Sequence, residues 1–223
     1  MRKLIAFASA LIVACGSSSS SSSPSPPPTA GLTGTIGGRP FTPVAVQAIT
    51  AGSGSSPCNL PGVGALGVSA MELAITSYAD ACGTLASTQC VHHANSQAVT
   101  VIVAKANPLP PASQPTLTPG TYAVQSTITS AVPESSGLLD VAYAEAVAPD
   151  PSCVGTTHPS KAGGTVRLDS VTGPITGHLS ITFDDGSSIS GDFSAPICSS
   201  VTADVCVRAL GGALCTLPAA CVQ

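Results

Sequence analysis

The segment ITGHLSITFDDGSSISGDFSA, residues 175–195, decides the fold class of this chain. Polar residues alternate with apolar or small ones on both sides of the turn Asp184-Asp185-Gly186-Ser187. A period of two places successive side chains on opposite faces of a β-strand, and Asp-Gly in a short loop is typical of a hairpin. The alternation predicts two strands with one buried face, formed by Ile175, Gly177, Leu179, Ile181, Phe183, Ile189, Gly191, Phe193 and Ala195.

Weaker alternation surrounds this hairpin. Val166 and Leu168 indicate a third strand, and Pro119-Gly120 introduces another at Tyr122. Residues 44–49, 97–105 and 139–147 are further strand candidates, whereas residues 66–75 fit either a strand or a helix. About nine such segments favour an all-β sandwich or barrel-like domain over residues 31–223, with a Cys-rich C-terminal tail. The chain has no Trp and 3% aromatic residues, so Val, Ile, Leu and Ala must supply most of the core.

The N-terminus has the features of an export signal. Arg2 and Lys3 precede an apolar run over residues 4–14, about half the roughly 20 residues that a membrane-spanning helix needs. The sequence Ile12-Val13-Ala14-Cys15 that ends the run resembles the lipobox of bacterial lipoproteins. The resemblance implies that residues 1–14 are removed and that Cys15 carries diacylglycerol. Gly16 instead of Asp implies the outer membrane in Gram-negative members. The alternative is an ordinary signal peptide in which Cys15 has no special role.

Residues 15–30 are predicted to form the lipidated start and a disordered tether. The segment GSSSSSSSPSPPPT, residues 16–29, has no apolar side chain to bury, so nothing offsets the entropy of ordering it. It would hold the domain away from the bilayer, attached through acylated Cys15.

The cysteine count predicts disulfides. Of nine cysteines, assigning Cys15 to lipid leaves an even set of eight, as expected of an exported domain with four bridges. No C-x-x-C occurs, which disfavours a zinc site. Cys82 and Cys90 are close enough in sequence to close one short loop, and we predict that they pair. The eight candidates are Cys58, Cys82, Cys90, Cys153, Cys198, Cys206, Cys215 and Cys221.

The charge balance argues against binding to nucleic acid or to anionic lipid by electrostatic attraction. Apart from Arg2 and Lys3, five basic residues stand against eleven acidic ones. Binding to nucleic acid or to anionic lipid by charge needs a basic surface. No nucleic-acid partner is therefore expected.

The chain lacks familiar catalytic motifs. G-x-S-x-G, H-E-x-x-H and the P-loop do not occur. A Cys–His nucleophile would need a free thiol, and the predicted disulfides leave none. A non-enzymatic domain without a cofactor is the leading expectation.

Two weak metal candidates remain. His92 and His93 would have to lie in a loop to converge, because neighbours on a strand point to opposite faces. Asp184, Asp185 and Asp192 offer carboxylates to calcium, but hairpin-turn aspartates are a simpler interpretation. No metal site is predicted from either set.

Other ionisable and aromatic residues select no site. Glu72 and Glu145 lie inside apolar strand candidates, and His158 and His178 are isolated in the sequence. A glycosidase needs two carboxylates at a cleft, and nothing in the sequence selects a pair. Sugar-binding platforms are disfavoured because the six aromatic residues after Cys15 are few and several fit core positions: Phe41, Tyr78, Tyr122, Tyr143, Phe183 and Phe193.

The pattern G-T-V-x-L…G-x-L-x-I-x-F-D-D-G-x-x-x-x-G-x-F-x-A-P-x-C, residues 164–198, is similar to uncharacterised bacterial lipoproteins with one exported β-domain. That resemblance assigns no functional residue. Three functions stay open: a structural or recognition domain of the cell envelope, a hydrolase whose site assembles from distant residues, and a carrier of a small apolar ligand.

Overall fold

The computed structural model describes residues 31–50, 58–60, 64–82, 91–107, 114–125, 137–153, 155–158, 162–199 and 220–222. The export signal and tether, together with Cys90, Cys206 and Cys215, lie outside the described residues. The described chain is nearly all β. Its strands are β1 Thr33–Ile36, β2 Arg39–Phe41, β3 Ala45–Thr50, β4 Cys58–Leu60, β5 Gly64–Thr76, β6 Val91–His93, β7 Ala98–Asn107, β8 Gly120–Ala123, β9 Leu139–Pro149, β10 Gly155–His158, β11 Ala162–Ser170, β12 Ile175–Phe183, β13 Ser188–Ala195 and β14 Ala220–Val222.

Sheet 1 is antiparallel and has the order β2-β1-β13-β12-β11-β8. The hairpin predicted from residues 175–195 forms its centre, with Ile181 opposite Ile189 and the Asp-Gly turn between them. The predicted inward residues of β12 are buried, and so are Ile189, Phe193 and Ala195 of β13. The alternation therefore gave both the strands and the buried face.

Sheet 2 has the order β10-β9-β7-β5-β3, and β4 pairs with one end of β5. Residues 66–75 belong to the long strand β5, so the helical alternative for this segment is wrong. Its neighbours explain the choice, because β5 is hydrogen-bonded along one edge to β7 and along the other to β3. Strand β7 is apolar on both faces, as predicted for a central strand.

The two sheets are joined at two corners. Beyond β13, Ile197 forms an isolated β-bridge with Ala48 of β3. The N–H of Ala48 donates to the carbonyl of Pro196, and its carbonyl accepts from the N–H of Cys198. Beyond β8, Val124 bridges Ala142 of β9. Strand pairing therefore runs from β13 across the Ile197 bridge to β3, through sheet 2 to β9, and across the Val124 bridge to β8 and sheet 1. The two sheets together resemble a flattened barrel.

The main core lies between the sheets. Its side chains are mainly aliphatic, as the composition predicted. The hydroxyl of Tyr122, which belongs to this core, donates to the carbonyl of Thr118 at 2.6 Å. The largest buried side chains are Phe41, Ile36, Ile49, Met71, Leu73, Ile75, Leu168, Ile175, Leu179, Ile181, Ile189 and Val46. Of these, Ile49 belongs to a second cluster on the outer face of sheet 2, with Ala45, Ala74, Ala81 and Cys198.

The predicted pairing of Cys82 with Cys90 is wrong. Cys82 is joined to Cys198, with their Cα atoms 5.8 Å apart and a sequence separation of 116. The bond follows from the corner at β3, where the segment after β13 crosses to sheet 2 and brings Cys198 to Cys82. Cys153 is also disulfide-bonded.

The end of the Cys-rich tail returns to the middle of the chain. Strand β14 pairs in parallel with β6, opposing Cys221 to His92. Among the described residues, no helix has the length and apolar character needed to cross a membrane.

Candidate binding cleft

A cleft of about 380 Å³ opens at one end of the sandwich. It lies where four connections meet: the β1–β2 turn, the residues before β7, the residues after β9 and the β12–β13 turn. Its lining is mostly small or polar: Gly37, Gly38, Arg39, Asn95, Ala148, Pro149, Asp150, Pro151 and Asp185.

A buried glutamine fixes the β1–β2 side of the cleft. Gln97 is 8% exposed, and its Nε2 donates to the carbonyls of Ile36 at 2.8 Å and Arg39 at 3.1 Å. The guanidinium of Arg39 donates through Nη2 to the carbonyl of Ser96 at 3.2 Å. Ser96, itself buried, donates its hydroxyl to the carbonyl of His93 at 2.6 Å. Both the backbone and the head group of Arg39 are thus held by the segment that leads into β7.

The two hairpin turns are locked to each other. Asp185 accepts from the backbone N–H of Ser187 at 2.8 Å and from its hydroxyl at 2.9 Å. The same hydroxyl oxygen accepts from the backbone N–H of Gly37 at 3.0 Å. Ser187 is 2% exposed, so this junction is shielded from water. A carboxylate in an Asx-type turn is a common local cap, and here it also orients the contact between turns.

The fourth wall is a tight loop after β9. The N–H groups of Asn95 and Cys153 both donate to the carbonyl of Asp150, at 3.3 and 3.0 Å. The side chain of Asp150 accepts from the N–H and hydroxyl of Ser152. Among the described non-glycine residues, Asn95 and Cys153 have positive φ angles, +56° and +59°. Such backbone persists only where the surroundings fix it, and it often marks functional sites.

The cleft carries both signs of charge. Arg39 donates one hydrogen bond within the described chain, and no ion pair there involves it. Two carboxylates, Asp150 and Asp185, lie in the same lining. The cleft can therefore offer hydrogen-bond donors and a positive charge beside a negative field.

Of the aspartates considered for calcium, only Asp185 reaches this cleft. Asp184 is exposed in the turn, and Asp192 lies on the outer face of sheet 1, hydrogen-bonded to His178 Nδ1 at 2.8 Å. The three carboxylates do not converge. In the described part of the chain, no group of three or more His, Cys, Asp or Glu side chains is arranged to hold a metal.

The His178–Asp192 pair resembles part of a catalytic triad but is open to water. The side chains are 41% and 76% exposed, on a flat face whose other residues are mainly Ser and Thr. A triad needs a nucleophile hydrogen-bonded to the other ring nitrogen. The structure gives His178 no such bond within its described residues.

The carboxylates Glu72 and Glu145 lie on the outer face of sheet 2, on either side of β7. Glu72 is 6% exposed. Burial raises the pKa of the Glu145 carboxyl above its usual value, and the negative charge of Glu72 raises it further. Burial also raises the pKa of Tyr143, followed by the charge of Glu145. The sequence predicted strands at Glu72 and Glu145 but did not predict that the two residues lie on either side of the same strand.

His92 and His93 are consecutive residues of strand β6, not residues of a loop. The ring of His93 packs against Tyr78, with centroids 3.9 Å apart. His158 lies in β10. The loop geometry on which the metal hypothesis depended is therefore not present at His92 and His93.

Of the residues that line the cleft, Asp185 is a candidate site residue in the sequence. Arg39, Asn95 and Asp150 are not identifiable there as members of a site. The available signals were slight: a Gly-Gly pair before Arg39, and a Pro-Asp-Pro triplet over residues 149–151. Neither indicated that these turns meet. Comparisons of the chain with protein-family models, curated proteins and solved structures found no match.

Proposed function

We propose that this protein is a lipid-anchored protein of the cell envelope whose β-domain recognises a ligand and does not catalyse a reaction. The lipobox at Cys15 and the Ser/Pro tether support the anchoring. The Cys82–Cys198 disulfide is compatible with an oxidising, exported location.

The preorganised cleft is the observation that carries the recognition role. Its walls are cross-linked by hydrogen bonds in which Gln97 donates and Ser96 and Ser187 accept, and all three residues are buried. Rigid walls lower the entropy lost when a ligand binds. The described residues of the cleft lining include charged and amide groups suited to binding.

The described part of the interior supports the apolar carrier less than it supports recognition at the surface. Side chains from both sheets meet in one continuous aliphatic cluster. A carrier needs an enclosed apolar space for its ligand. The described cleft instead lies at the end of the sandwich and is partly polar.

A hydrolase is the second candidate, because Asp150 and Asp185 line one cleft. Glycosidases use two carboxylates, one of which acts as an acid. Here each carboxylate accepts hydrogen bonds from its own loop. Each carboxylate thus caps its own loop, which is the arrangement of a structural turn residue.

Fractionation tests the anchor. The full chain and its Cys15→Ser variant are expressed in a bacterium fed a labelled fatty acid, with Ser17→Ala as the control. The wild type and the control should be labelled and sediment with membranes, whereas Cys15→Ser should lose both properties. Equal labelling of all three chains would refute lipidation at Cys15.

An activity screen tests the absence of catalysis. The full chain is offered chromogenic glycosides, esters and peptides, alongside Asp150→Asn and Asp185→Asn. The expected result is the same background rate for all three chains. Turnover that disappears in both variants would replace recognition with hydrolysis.

A further inference from the structure

We infer that the end cleft binds a small zwitterion of the amino-acid or unblocked short-peptide class, with the ligand carboxylate on Arg39 and its ammonium beside Asp150 and Asp185. This inference rests on the proposed recognition role and names the ligand chemistry for it.

Arg39 is built as a carboxylate receptor. A guanidinium has five N–H donors in a planar fork that matches a carboxylate. Within the described chain one donor is used, on the carbonyl of Ser96. That bond tethers one side of the exposed guanidinium, and Gln97 holds the backbone of Arg39 through its carbonyl.

The sign of the charges selects the ligand. Asp150 and Asp185 line the cleft beside Arg39, so a purely anionic ligand such as phosphate would bring its negative charge close to two carboxylates. A purely cationic ligand leaves the Arg39 donors without an acceptor. A zwitterion complements both, and the charges of Asp150 and Asp185 act on an ammonium whatever hydrogen bonds their oxygens accept.

The space selects a small ligand. The volume of about 380 Å³ is at the lower end of the roughly 300–1,000 Å³ typical of ligand pockets. Gly38 leaves the wall open, since a Cβ there would meet no atom within 4 Å. Ala148, Pro149 and Pro151 add short apolar surfaces. Methyl-sized side chains fit such a wall, which favours a peptide of small residues.

The test uses the full chain, purified in detergent, and alanyl-alanine as the probe. Titration calorimetry compares it with N-acetyl-alanyl-alanine, which lacks the ammonium, with alanyl-alanine amide, which lacks the carboxylate, and with inorganic phosphate. Alanyl-alanine should bind, and each other compound should bind at least about tenfold more weakly. Absence of alanyl-alanine binding, or equal binding of a blocked form or of phosphate, would overturn the inference.

Matched variants locate the site. Arg39→Met, Asp150→Asn and Asp185→Asn should each weaken alanyl-alanine binding, and the two Asn variants keep an oxygen for the loop hydrogen bonds. Arg167→Met and Asp169→Asn make the same charge changes at an exposed pair on sheet 1 and should bind normally. If Arg39→Met lowers the melting temperature, Arg39→Lys keeps the charge without the fork and should still bind more weakly. Undiminished binding by all cleft variants would place the ligand elsewhere.

The two proposals fail separately. A membrane-attached chain without turnover that ignores alanyl-alanine refutes the ligand class alone. A chain that hydrolyses a substrate through the aspartates refutes the recognition role.

Discussion

Removal of the Cys82–Cys198 disulfide should destabilise the domain substantially. The bridge closes a loop of 116 residues, for which the chain-entropy relation gives about 4.8 kcal/mol at 25 °C. Cys153 lies inside this loop and is itself disulfide-bonded, which shortens the chain that is free to move. Each halving of the loop length lowers the free-energy cost of closing it by about 0.6 kcal/mol. We therefore expect the double variant Cys82→Ala/Cys198→Ala to lose about 3–5 kcal/mol of unfolding free energy. For a domain of this size that corresponds to a melting temperature lower by roughly 6–20 °C.

Urea unfolding under oxidising conditions measures this loss, and the same pair of proteins under reducing conditions is the control. Once every disulfide is reduced, the wild type and the double variant should differ only by the small change in packing around Ala45, Ile49 and Ala74. A loss below about 1 kcal/mol in oxidising buffer would contradict the entropic argument. Non-reducing peptide mapping after cleavage beside Leu85 checks the connectivity, and a fragment joining Cys82 to Cys90 would refute the bond itself.

Three further variants probe other parts of the fold. Gln97→Met should cost about 1–3 kcal/mol in thermal unfolding, because two backbone carbonyls lose their donor in a buried place; an unchanged melting temperature would contradict this. Gly191→Ala should be far more destabilising than Gly186→Ala, because both residues have positive φ but only the first would place a Cβ 1.9 Å from a backbone oxygen; similar losses in circular-dichroism melts would show that the contact relaxes. The pKa of Glu145 is raised in the folded state, so the folded protein favours the protonated carboxyl. The resulting contribution to folding stability is fully present below pH 4.5, the ordinary pKa, and is lost as the pH rises through the folded pKa. Glu145→Gln should therefore be more stable than the wild type at neutral pH and lose that advantage in acid; a pH-independent difference would refute the assignment.

The strands could be predicted because their information is local. Alternation over residues 175–195 gave the hairpin and its buried face, and the apolar run of β7 gave a central strand. The segment of β5 was ambiguous because its apolar residues fit either period, and its pairing with β3 and β7 decided the outcome. Local pattern failed where tertiary pairing made the choice.

The disulfide could not be derived in this way. The short loop from Cys82 to Cys90 was favoured because proximity in sequence was the only distance available. The actual partner, Cys198, depends on where the chain goes after β13, where Ile197 bridges Ala48 on the other sheet. No residue pattern before that point encodes the crossing.

The cleft was hidden for a related reason. Its four walls come from turns between residue 37 and residue 185, and each turn reads as ordinary surface loop by itself. The clearest sign of a site appears only after folding: of five buried polar or charged residues in the described chain, three stand behind this cleft, namely Ser96, Gln97 and Ser187. Burying a polar group gains little net stability even when it is hydrogen-bonded, and it costs about 1–3 kcal/mol when it is not. The domain gains little stability from placing such groups at one end, whereas a recognition cleft would use them to hold Arg39 and its neighbouring turns in position. That concentration is the physical ground for proposing recognition at the end of the sandwich and not on either sheet face.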